Sequence, residues 1–161
     1  MRPLSPLPKK LNFKFFLFIG GLVFFSSCYS VQQSRLQFQA PLKKATLTQK
    51  YKPYKKKPHL GIDLRATRGT PVLSIERGRV VYAGRQFTGY GKVIMIEHDS
   101  SWTSLYAHLN SVEVSLGQKI QKGQKIGTVG NTGRSTGTHL HLELFYKKRN
   151  INPLKHIPIK K

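Results

Sequence analysis

Two short stretches of this chain carry side chains that can do chemistry: "HLGID" at 59–63 and "HLHLE" at 139–143. The second opens the apolar run "HLHLELFY", whose alternation predicts a β-strand. Along a strand side chains alternate faces, so His139, His141, Glu143 and Phe145 share one face, and Leu140, Leu142, Leu144 and Tyr146 share the other. The leucine face reads as core. Two imidazoles side by side on the opposite face admit three uses: both buried and satisfied, both on a metal, or each with its own job. In "HLGID" the even spacing puts His59 and Asp63 on one face of an extended segment, with Gly61 allowing close backbone approach. Two histidines and a carboxylate are a common zinc set that leaves a fourth position for water. His59, Asp63 and one histidine of the HLH pair would supply it. Taken singly, each motif is a weak signal.

The elements that must position these groups are short. From residue 59 onward "HLGIDL", "VLSI", "GRVVYAG", "KVIMIEH", "WTSLYAHL", "KIGTVG" and "HLHLELFY" are separated by Gly- and Pro-bearing turns. No stretch sustains helical spacing, so the expectation is an all-β, largely antiparallel sheet or sandwich domain. "GQKIQKGQKIG" reads as a turn–strand pair rather than a repeat architecture.

The 161 residues hold 28 Lys and Arg against 6 Asp and Glu, a formal charge of +22 that implies attraction to polyanions. The N-terminus says which kind. Arg2, Lys9, Lys10 and Lys14 precede eleven apolar residues, "FFLFIGGLVFF", too few for a spanning helix of roughly 20 and suited to a secretory signal. Directly after them, in "SSC", stands Cys28, the chain's only cysteine. The arrangement resembles a bacterial lipobox, although Phe25 stands where leucine is usual. It implies cleavage after residue 27 and acylation of Cys28; ordinary cleavage with an incidental Cys28 is the alternative. Loss of residues 1–27 removes four positive charges and no acid, leaving +18 of the +22. An exported protein with that charge meets cell wall and lipid first, so nucleic acid is not the expected partner. Residues 28–56 read as a flexible basic linker able to dock in places, spanning on the order of 30 Å as a coil. Tyr54 falls within it.

In order along the chain, "HLGID", "GRVVYAG", "GYGKVIMIEH", "YAHL", "GQKIQKGQKIG" and "STGTHLHLEL" resemble the lysostaphin-like (LytM-type) zinc endopeptidases. The resemblance covers residues 57–154, with 155–161 left as a basic tail. It implies one zinc held by His59, Asp63 and His141, with His139 and His108 of "YAHL" as catalytic groups beside the metal. It further implies a peptidoglycan hydrolase cutting peptide cross-links, D-alanyl to diaminopimelate in a diderm bacterium. The enzyme would be a monomer, lipid-anchored and placed on the outer membrane facing the periplasm. Non-catalytic relatives, which bind wall or activate an amidase, typically lose some of these five positions; all five are present here. His98 reads as structural, His156 as exposed, and Glu143 either as the orienter of a ligand or as the partner of a Lys or Arg.

Overall fold

The computed structural model describes residues 36–85 and 88–159. Ten strands form in chain order: β1 (Thr46–Gln49), β2 (Ile62–Arg65), β3 (Pro71–Leu73), β4 (Gly78–Gly84), β5 (Lys92–Glu97), β6 (Trp102–Val112), β7 (Lys119–Ile120), β8 (Lys125–Val129), β9 (His139–Tyr146) and β10 (Arg149–Ile151). Every pairing is antiparallel, and no α-helix occurs among the described residues. The spatial order is β1-β2-β9-β6-β5-β4-β7, with β10 on β9 and the β3–β8 pair attached to β6.

Period-two patterning fixes which face of β9 goes where. Leu140, Leu142 and Leu144 are fully buried in the main core with Ile62, Leu64 and Tyr106. Burying each leucine contributes about 1.5–3 kcal/mol. A register slip of one residue would turn that leucine face outward and the histidines inward. On the other face, beside His141 and Glu143, a second cluster of Val93, Leu105 and Ala107 packs with Tyr90 and Phe145.

β6 does two jobs in one strand. Its first half, Trp102–Ala107, pairs with β9, and its second half, from Leu109, pairs with β8. The changeover falls at His108, whose φ of 58° is rare for a non-glycine residue, and the β5–β6 register slips there. Tyr106 and Leu109, an odd number of residues apart, both lie in the main core, so the strand changes face between them. The extra residue therefore turns His108 away from the core face that strict alternation would assign it.

The segment expected to be a linker docks along most of its described length. Phe38 and Leu42 are buried in the main core, and Gln39 donates its backbone N–H to Ile75 O. Thr46–Gln49 forms the edge strand β1 on β2. Tyr54 is almost fully exposed. At the other end, Pro153–Lys155 forms a 3₁₀ turn capped by Asn152, and Ile157 enters the main core, so the folded unit runs past residue 154 into the expected tail. His156 is exposed, as read from the sequence. "GQKIQKGQKIG" forms a turn and the strands β7 and β8, which pair with β4 and β6 rather than with each other. The signal sequence and Cys28 lie outside the described residues.

Candidate metal centre

Asp63 on β2 and His141 on β9 are direct cross-strand partners, and regular pairing alone sets them together. His59 precedes β2 and is bound to Lys52 by a reciprocal pair of backbone hydrogen bonds at 2.8 and 3.1 Å. Three ligating atoms converge: His141 Nδ1 lies 2.8 Å from Asp63 Oδ1, His59 Nε2 lies 3.1 Å from the same oxygen, and the two nitrogens are 3.2 Å apart. Donors held about 2.0–2.1 Å from one tetrahedral ion stand roughly 3.3 Å apart, so this set fits zinc after opening by a few tenths of an ångström. Gly61 makes the approach possible. A Cβ there would come within 2.5 Å of Leu142 O and 2.8 Å of His141 Cε1.

Each of the four histidines has one ring nitrogen beside an acceptor other than Asp63, which selects the tautomer of its neutral form. His59 Nδ1–H donates to Lys50 O at 2.9 Å and turns Nε2 to the cluster. For His141 the acceptor is Glu143 Oε1 at 3.0 Å, which leaves Nδ1 inward. Nδ1–H of His108 donates to Thr132 O, and that of His139 to Gly137 O, both at 2.8 Å. In the neutral form of each ring this places the lone pair on Nε2. His139 Nε2 stands 3.7 Å from Asp63 Oδ1, and the His108 ring lies 4.8 Å from His139 and 5.8 Å from His141 between centroids. The five positions expected from sequence thus surround one cavity of about 420 Å³, which also takes in Tyr90 and Arg134.

Charge follows geometry. Burial opposes ionisation of Asp63, but hydrogen bonds from His141 and His59 outweigh it and hold the carboxyl well below the usual range. Burial likewise pulls His141 down, yet its bonds to Asp63 and Glu143 carry it up to about 9. The bond to Asp63 raises His59. His108 is lowered, chiefly by desolvation, so it is a neutral base at neutral pH. Without a metal the triad therefore holds protons that a cation must displace.

Glu143 turns out to be the orienter: it accepts from His141, from Tyr90 OH at 2.7 Å and from Asn150 Nδ2 at 2.8 Å, and no Lys or Arg pairs with it among the described residues. His98 is buried against Arg77 O and Ser104 Oγ, a structural role. Sequence reasoning missed Tyr90 and the carbonyls of Lys50, Thr132 and Gly137. A backbone carbonyl leaves no trace in residue type, and only the motif "GYG" hinted at Tyr90.

The chain is similar to several known proteins. The chain is 43% identical over 98 residues to the murein hydrolase activator NlpD of Escherichia coli, a match covering 61% of this chain and 26% of that protein. The lipoprotein NlpD of Yersinia enterocolitica is 41% identical over 96 residues, covering 60% of this chain and 98% of that sequence. Among solved structures, a zinc-containing peptidase from Vibrio cholerae superposes with a TM-score of 0.72 at 33% identity, covering 77% of this chain and 41% of that one. The catalytic domain of lysostaphin from Staphylococcus simulans gives 0.65 at 32%, covering 69% and 90%. The chain thus spans about a quarter of the length of the Escherichia coli relative it matches. Residues 57–153, more than half of the sequence, match the peptidase family M23, and the chain belongs to that family.

Proposed function

We propose that this protein is a zinc-dependent endopeptidase that hydrolyses peptide cross-links of peptidoglycan, with the D-alanyl–diaminopimelate bond as substrate. The observation that carries the reading is the complete set around one cavity: His59, Asp63 and His141 as ligands, with the Nε2 lone pairs of His108 and His139 beside them. Zinc held there supplies a Lewis acid for the scissile carbonyl and lowers the pKa of its water to about 7. Within the pair His108 and His139, one imidazole accepts the proton of the attacking water as the C–O bond forms. The other, protonated as an imidazolium, donates to the oxyanion, and the proton taken from water passes to the amine as the C–N bond breaks. Glu143 keeps His141 in the tautomer that turns Nδ1 inward. Lipidation at Cys28 would hold the enzyme in the cell envelope, on the outer membrane facing the periplasm; the lipoprotein name of the Yersinia relative supports this.

A second reading has its own support. The Escherichia coli relative is named an activator, so this chain could bind wall and stimulate an amidase without cutting. Incubating the zinc-loaded protein with purified sacculi and weighing the released muropeptides separates the two. The endopeptidase reading requires products cut at the cross-link, with intact sugar–peptide bonds. Intact cross-links, together with faster amidase release in a mixture, would establish the activator.

A further inference from the structure

At the far end of β9 from the candidate centre lies a surface that the proposed hydrolysis does not use. Trp102, which opens β6, packs against Tyr146 with ring centroids 4.8 Å apart and against the exposed His156 at 5.0 Å. Tyr146 is 40% exposed, a large aromatic left open at a strand end. Lys147 Nζ stands 5.6 Å from its ring centroid. Lys147 and Lys148 are the two central residues of the β9–β10 turn, with φ of 47° and 63°. A two-residue turn with both φ values positive favours Asn-Gly, so two lysines there run against backbone preference. Arg149 follows, exposed, and none of these three cations has a carboxylate partner among the described residues. The acid at this corner, Asp99, has its Oδ1 occupied by the N–H groups of Ser101 and Trp102.

The entry of the chain points to the same corner. Phe38 lies buried under Trp102 at 5.1 Å, and Leu36 packs on the main core. Cys28 is eight residues before Leu36, which limits its reach to about 28 Å. We propose that Trp102 and Tyr146, with Lys147, Lys148 and Arg149, form a face that seats the domain on anionic lipid headgroups. The tether rests on the proposed lipidation; the patch itself does not. Trp and Tyr settle at the headgroup level with the polar edge wet, and lysines reach phosphates on flexible stems. β9 then runs about 23 Å away from the bilayer, by its rise per residue, to the candidate centre, which is turned toward the wall.

Trp102 is the chain's only tryptophan, so its fluorescence reports on this patch alone. The test uses a chain beginning at Tyr29, which keeps every described residue and carries no acyl group. It is mixed with vesicles of phosphatidylcholine, with or without phosphatidylglycerol, some bearing brominated acyl chains. Expected are sedimentation with the anionic vesicles alone and quenching of Trp102 by brominated lipid. Lys147→Glu with Lys148→Glu should weaken partition by about tenfold or more at an unchanged melting temperature. The same charge change at the exposed Lys55 and Lys56 should leave most of it intact. No binding, binding without quenching, or equal losses from the two pairs would overturn the proposal. So would binding to isolated glycan strands in place of vesicles. Acylation of Cys28 is read separately, from the mass of the mature protein, and its failure would leave the vesicle result standing.

Discussion

Asp63 and His141 meet across two regular antiparallel strands, whereas His108 reaches the same cavity from a bulge with a left-handed backbone. The contrast separates two ways of building a site. Strand register holds the proposed ligand side: the leucines that keep His141 facing the cavity are the same residues that make the core. The side proposed to handle protons is held by local devices, the break in β6 and the carbonyls of Thr132 and Gly137. Disturbing the first should cost metal, and disturbing the second should cost rate alone.

The largest effect expected is from His59→Ala, Asp63→Ala or His141→Ala. Each leaves too few donors to hold the ion, so zinc measured by emission spectroscopy and cleavage of sacculi should both fall to background. Near-stoichiometric zinc in all three variants would break the assignment. Next come His108→Ala and His139→Ala, which should slow cleavage by about a hundredfold or more, the scale of a lost acid–base or oxyanion partner. Glu143→Gln tests the carboxylate that orients His141. Zinc affinity should drop by about tenfold in competition with a chelating dye, and a larger loss of rate than of affinity would show a role beyond orientation.

The smallest effect is one of pH. His141 is raised to about 9 by Asp63 and Glu143, so below that pH its proton competes with the metal. Zinc affinity should therefore climb from pH 6 to 8, with proton release visible as a buffer-dependent heat in calorimetry. Stability of the metal-free protein has the opposite sign. A raised folded-state pKa stabilises fully below about 6.5 and loses its contribution as pH rises through about 9. Melting temperatures of the metal-free form should decline over that window, while those of the zinc-loaded form should not.

Most of the strand positions were legible, because alternation in "HLHLELFY" and the glycines between the runs follow from side-chain period and turn chemistry. The pairing of Asp63 with His141 was legible only through resemblance, since spacing within each motif says nothing about register between them. Strict alternation from Tyr106 would have sent His108 into the main core; an inserted residue that reverses a strand's faces has no composition of its own. Lys50 shows the same limit from another side. It sits in a stretch read as linker, yet its carbonyl sets the tautomer of His59, because a backbone acceptor can come from any residue type.

The two-sided construction is tested most directly by measuring zinc per chain and cross-link cleavage on one preparation of His139→Ala beside wild type. Expected are one zinc in both proteins, cut cross-links from wild type, and cleavage reduced by about a hundredfold or more in the variant. Zinc lost together with activity would make His139 part of the metal's hold, and undiminished cleavage would remove it from the chemistry. Either result contradicts the division between ligand triad and proton-handling pair.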